Sequence, residues 1–136
     1  MGATEHRVRR LVGDAMRQVV KRTVNRHQLR TAGRPGARAA LIRHTGRTSG
    51  RPYGTPVTAT PTADGFLIAL PYGRRADWVR NVLAAGGATL VRDGVEYTVT
   101  DPEVVGMSAV ASHFVPGDRR VHRIFGVDEV LRLTRE

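Results

Sequence analysis

The chain has 136 residues, no cysteine and a formal net charge of +10, the size of one domain with a sizeable core and too short for two. The missing cysteine excludes disulfides, thiolate nucleophiles and thiolate-ligated metals. No apolar run approaches the roughly 20 residues of a bilayer-spanning helix, and the N-terminus lacks a signal-like apolar core, so a cytoplasmic protein is expected.

The charge is unevenly placed: residues 1–51 hold 13 of the 22 basic residues and two of the 12 acidic ones, a net +11, leaving −1 for the rest. This predicts a positive field over one face, able to attract nucleic acid, anionic lipid or a polyanionic small molecule. From Glu5 to about Leu29, Val8, Leu11, Val12, Ala15, Met16, Val19, Val20 and Val24 recur at three- and four-residue steps with Arg7, Arg9, Arg10, Arg17, Lys21 and Arg22 largely between them. That spacing predicts a basic amphipathic helix over residues 1–30. Its stripe can pack on the chain's own barrel or on a dimer mate, or lie on an anionic membrane at the inner surface. Nucleic acid is the third reading, and the few aromatic residues show no stacking motif for it.

Thr31 to Ala37 is a breaker-rich linker, and residues 38–136 make up the expected barrel. Ala39 to Thr45 and Tyr53 to Thr60 read as two strands joined by Gly46, Arg47, Thr48, Ser49, Gly50 and Arg51. Glycines there allow close approach of backbone N–H groups to an anion, and Arg47 and Arg51 add fork-shaped donors. An ordinary hairpin whose polar turn carries arginines satisfies the same pattern. Walker and dinucleotide-binding glycine patterns are both absent.

Ala63-Asp64-Gly65 marks a turn into Phe66 to Leu70, a strand expected to be buried on both faces, followed by the loop Pro71 to Arg75. Asp77 is placed to cap a helix starting at Trp78, with Val79, Val82 and Leu83 inward and Gly86-Gly87 ending it. The N-terminus of that helix, beside Arg74 and Arg75, is a second natural place for an anion. Trp78, the sole tryptophan, serves either as a core anchor or as a stacking surface for a planar cofactor. Ala88 to Arg92 and Val95 to Thr100 form a hairpin across Asp93-Gly94. Pro102 opens a helix-like segment, Glu103 to His113, then a turn over Phe114 to Asp118. After the apolar Val121, Ile124 and Phe125, Glu129 to Thr134 closes the chain as a strand or short helix.

The run Thr45 to Gly50, with Trp78 to Asn81 opening a helix after the Pro71 to Arg75 loop, resembles the deazaflavin-dependent nitroreductase family, whose pattern is T-G-[RK]-x-[ST]-G followed by W-x-x-N. The resemblance covers about Leu41 to Tyr97. It implies an α+β, mainly β fold: a split β-barrel of the FMN-binding kind, with short helices packed outside. It also implies an enzyme using reduced coenzyme F420, passing a hydride to an electron-poor small molecule such as a quinone, an enone or a nitroaromatic. By the same resemblance Arg47, Ser49, Gly50 and Arg51 hold the phosphate and acidic tail, and Arg74 and Asn81 lie along the same groove. Pro71, Tyr72 and Gly73 line the ring near Trp78, and Tyr72 or solvent gives the proton. Relatives with FMN, haem or no cofactor supply the alternatives, among them a lipid-binding barrel at a membrane and a cofactor-independent enzyme.

The residues are consistent with borrowed chemistry. Ser49, Ser108 and Ser112 lack a nucleophile-elbow context, and His6, His27, His44, His113 and His122 show no metal-ligand spacing, so no metal site is expected.

Overall fold

The computed structural model describes residues 31–136; the helix expected over Glu5 to Leu29 lies outside them. The chain order is β1 (Ala40–Thr45), β2 (Pro52–Val57), β3 (Ala59–Pro61), β4 (Gly65–Ala69), α1 (Asp77–Ala85), β5 (Gly87–Arg92), β6 (Val95–Gly106), α2 (Met107–Val110), a 3-10 turn (Ala111–His113), α3 (Pro116–Ile124) and β7 (Glu129–Arg135). All pairings are antiparallel, in the spatial order β2-β1-β5-β6-β7-β4-β3. The two edge strands, β2 and β3, are separated in sequence by Thr58 alone. The sheet therefore has to curl until its edges meet, which makes it a split barrel rather than an open sheet. The single return strand expected over Tyr53 to Thr60 is accordingly two strands, bent at Thr58 so that one half pairs with β1 and the other with β4.

Alternation fills the barrel. Ala40, Ile42 and His44 of β1 are buried, while Arg43 and Thr45 point out. Ile42 joins Phe66, Ile68, Leu70, Leu90, Val99, Leu131 and Leu133 in the interior, and α1 adds Val79 and Val82. β4 is indeed buried on both faces: Leu67 belongs to a second cluster outside the sheet with Val130, Val110 and Phe114. Leu83, expected to face inward, is 38% exposed. Asn81 takes up burial beside Val79 and Val82 instead.

Two turns follow their residues. Asp93 and Gly94, both at positive φ (50° and 77°), form the tight β5–β6 turn. The linker docks on it, Gly94 N–H donating to the Gly33 carbonyl at 2.7 Å and Gly36 N–H to Asp93 Oδ1 at 2.7 Å. Gly86, in the left-handed region at φ 74°, ends α1, and Gly87 already begins β5.

The expected helix over Glu103 to His113 is a correction. Pro102 sits in a bulge of β6, where the register slips between Thr100 and Glu103 and Asp101 takes φ 49°. A bulge tolerates proline because no ladder donor is required there. β6 then continues to Gly106, its alternation sending Val104 to the interior cluster and Val105 to the outer one. Only Met107–Val110 is α-helical, and α3 begins at Pro116, inside the expected turn, with proline at a first-turn position. The C-terminal segment is a strand lying between β6 and β4.

Gly65 starts β4 opposite Thr134, and a Cβ there would overlap the carbonyl oxygen of Leu133. Gly65→Ala is expected to lower the unfolding free energy by about 1–3 kcal/mol, the usual range for overpacking. Urea denaturation checks this, and an unchanged midpoint would contradict the tight β4–β7 approach.

Candidate functional site

The loop Gly46 to Arg51 joins β1 to β2 and leans on the N-terminal turn of α1. Its backbone is closed by Gly46 N–H to the Arg51 carbonyl (2.8 Å) and Gly50 N–H to the Gly46 carbonyl (2.9 Å), with Gly50 at φ 71°. Arg51 N–H donates to Ser49 Oγ at 3.2 Å. A Cβ at Gly46 would run into that same Ser49 hydroxyl and crowd the Tyr53 ring, so a larger residue there would force these side chains to shift. The N–H groups of Thr48 and Ser49 have no acceptor among the described residues.

Between this loop and α1 lies a groove of about 540 Å³, lined by His44, Gly46, Arg47, Thr48, Ser49, Tyr53, Gly54, Thr55, Pro56, Asp77, Trp78 and Asn81. That volume falls in the range of small-molecule sites. Trp78 packs one side against the barrel core and also lines the groove, so the anchoring and pocket-facing roles coexist.

A polar chain runs under the groove. Asn81, 5% exposed, accepts with Oδ1 from Arg47 N–H (3.1 Å) and Arg47 Nη1 (2.8 Å). Its Nδ2 faces His44 Nδ1 at 3.1 Å, and His44 Nε2 lies 2.9 Å from Thr55 Oγ1. Because Asn81 Oδ1 is committed to Arg47, its NH₂ must donate to His44. Nδ1 is then the acceptor, and the imidazole is neutral with its proton on Nε2, donated to Thr55. Burial lowers the His44 pKa in accord with that state. The ring also stacks on Tyr53, centroids 5.8 Å apart.

Arg47 is occupied at its other end as well: its Nη2 pairs with Asp77 Oδ1 at 3.2 Å. Asp77 thus opens α1 by gripping the loop, with no side-chain bond capping the helix, and α1 begins at Asp77 rather than at Trp78. Its carboxylate still complements the helix dipole from the first turn.

The structure therefore brings Arg47, Ser49, Trp78 and Asn81 to one groove, with Gly50 and Arg51 on the exposed rim of the same loop. The Arg51 side chain makes no ion pair among the described residues. Pro71, Tyr72, Gly73 and Arg74 do not line this groove. Their loop is tied to the start of β7, where Arg74 Nε donates to Glu129 Oε2 at 2.6 Å and Arg74 N–H to Oε1 at 3.3 Å. Those contacts hold the Glu129 carboxyl below its ordinary pKa. Tyr72 is 36% exposed.

Sequence reasoning passed over His44, Tyr53, Thr55 and Asp77 as members of the groove. One signal was available: His44 follows Ala40 and Ile42 at two-residue steps and so shares their inward face.

The curled antiparallel sheet and its loop-to-helix groove define a split-barrel protein. A family model described as F420H(2)-dependent quinone reductase matches residues 10–109. The chain belongs to that family, and it is an oxidoreductase whose reduced cofactor is F420H2. One similar solved structure, described as a domain-swapped dimer, is 12% identical at TM-score 0.53, covering 89% of this chain and 97% of that one. Another is the heme storage protein HutZ from Vibrio cholerae, 14% identical at TM-score 0.49, covering 74% of this chain and 83% of that one. At such identity the first shows the fold. No curated protein matches. No helix among the described residues is long and apolar enough to cross a membrane.

The lowered His44 pKa has a definite sign for stability. The folded state resists protonation below the unfolded value of 6.5, so its contribution is full above that pH and is lost as pH falls below it. Unfolding free energy is expected to fall between pH 7.5 and 5.5, by at most about 1.4 kcal/mol per pH unit for one proton. His44→Gln should flatten part of this slope, the remainder including His122, which is shifted in the same direction. Equal slopes in both proteins, or an NMR titration placing His44 at or above 6.5, would contradict the neutral, buried state assigned to His44.

Proposed function

We propose that the chain reduces an electron-poor small molecule, a quinone foremost and an enone or nitroaromatic by the same chemistry, with F420H2 held along the groove between the Gly46 to Arg51 loop and α1. The observation that carries the placement is the pair of N–H groups at Thr48 and Ser49 that have no partner among the described residues, beside the Arg51 guanidinium, which makes no ion pair among them. They are the donor set a phosphate requires: consecutive backbone amides, a hydroxyl from Ser49 and a permanent cation. At Gly50 no atom lies within 4 Å of where a Cβ would stand, leaving that side open to a ligand.

When bound, the reduced deazaflavin supplies the hydride. The protein's own residues bind and orient. Thr48, Ser49, Gly50 and Arg51 take the phosphate and the acidic tail. Arg47 shapes the loop through Asn81 and reaches the tail by exchanging Asp77 for it. Trp78 offers its ring to a planar group in the groove. Asn81 acts chiefly as a support, since both lone pairs of its oxygen are already used by Arg47. In this reading Pro71, Tyr72 and Gly73, which stand outside the groove itself, border the ring where it extends beyond the groove, and Tyr72 or solvent delivers the proton to the reduced acceptor.

Arg47→Ala and Arg51→Ala are each expected to weaken F420 binding by about one to two orders of magnitude in a salt-sensitive way, as for loss of a charge-assisted contact of roughly 1.5–3 kcal/mol. Fluorescence titration of the coenzyme measures this, and unchanged affinity in both variants would remove the placement. Asp77→Asn should move the other way. It releases Arg47 from an ion pair whose carboxylate is 85% exposed, and tighter binding by roughly threefold to tenfold is expected from the smaller value of an exposed pair. Weaker binding in that variant would mean that the pair organises the site instead of competing with the ligand.

A further inference from the structure

Helix α3 is inside out. A surface helix ordinarily buries its apolar stripe and exposes its charges. Here Val121 and Ile124, three residues apart on one face, are 50% and 72% exposed. Asp118, Arg119 and His122 are the partly buried positions. His122 lies edge-on to the buried Phe114 ring, centroids 4.9 Å apart. Arg119 Nε and His122 Nδ1 are buried with no hydrogen-bond partner among the described residues. Leaving two polar atoms unsatisfied while turning aliphatic side chains outward costs free energy on both counts. Such an arrangement is favoured where the outward face meets something apolar.

The charges on that outward face narrow what the apolar medium is. Arg120 and Arg123 are exposed at the same three-residue spacing, alternating with Val121 and Ile124. With Arg119 they set three cations against Asp118 alone, a net +2 over nine residues. A second copy would bring the same arginines against these. Residues 5–29 carry a net +5 and meet the same repulsion. A bilayer with anionic phospholipid headgroups satisfies both demands together, taking aliphatic side chains below the headgroups and pairing arginines with phosphates.

We propose that α3 is a peripheral docking face for an anionic phospholipid bilayer, with Val121 and Ile124 entering the interface and Arg120 and Arg123 binding headgroup phosphates. The inference stands on this face alone and does not require the reductase reading of the groove.

Sedimentation of the full chain with vesicles, at physiological salt, tests it. Binding is expected to vesicles containing phosphatidylglycerol and not to phosphatidylcholine alone. The double variant Val121→Ser with Ile124→Ser leaves the charge unchanged and should weaken that binding by at least about tenfold, since affinity scales with inserted apolar area. Arg120→Gln with Arg123→Gln should weaken it too and lower its salt dependence. Both pairs are exposed, and thermal melting and F420 titration confirm that the variants remain folded with an intact groove. Wild-type affinity in the serine variant would overturn the proposal, because binding would then be purely electrostatic or made by residues 5–29. So would a wild-type chain that ignores anionic vesicles. A dimer seen by analytical ultracentrifugation that the serine variant abolishes, without vesicle binding, would assign the face to a second copy.

Discussion

The amide of Asn81 is the contact on which the site depends. Its oxygen receives both a backbone and a side-chain N–H of Arg47, and its nitrogen meets His44. One buried side chain thereby fixes a loop, a strand and a helix relative to one another. A hydrogen bond between neutral groups contributes about 1 kcal/mol net, whereas an orphaned buried donor or acceptor costs more. The network is therefore better understood as a constraint on geometry than as a store of stability. Replacing Asn81 by a group with one function removed would leave either Arg47 or His44 without its partner.

That constraint is reachable only because of how the barrel closes. β2 has to leave β1 through a short loop and then bend at Thr58 to reach the far edge of the sheet. Tyr53 and Thr55 consequently stand across from His44 and Ile42 in the β1–β2 register, and α1 is drawn over the open end by Val79 and Val82. The loop and the helix N-terminus face each other as a consequence of core packing. Burial of two valines is enough to place a polar residue two positions from one of them, Asn81, beneath the loop.

Much of this was legible in the residues. Turn chemistry located the Asp93-Gly94 hairpin and the Gly86 helix end, since positive φ selects a small set of residue types. Short apolar runs located β1, interrupted by Arg43, and β4, buried on both faces. Failures came where tertiary context overrides local preference. Val104 and Val105 look helical after Pro102 only until a bulge lets the strand continue and sends them to two different clusters. Leu83 fits the helical stripe, yet the barrel ends before it. In the site, the motif named the loop and the helix, while His44 shows only its two-residue step from Ala40 and Ile42 and the grip of Asp77 on the loop carries no sequence signature, because these roles arise from strand register and from loop approach. The W-x-x-N spacing does not say which end of the asparagine is used. That depends on Arg47 occupying the oxygen first.

Net charge illustrates the same division between composition and structure. The excess of arginine over the first 51 residues predicts a cationic face, but a cation already paired offers little to an anion. Among the described residues, Arg43 is held by Glu96, Arg47 by Asp77, Arg74 by Glu129 and Arg132 by Glu103. Exposed pairs like Arg43 with Glu96 are weak and screened, so a polyanion can compete for them. The pair at Arg74 is firmer, with two nitrogens on one carboxylate whose pKa it depresses. Graded in this way, Arg51 is immediately available, Arg47 becomes available by exchanging Asp77, and Arg74 is the most strongly retained. The order in which these cations can be recruited by an anion is set by their partners among the described residues rather than by the protein's total charge.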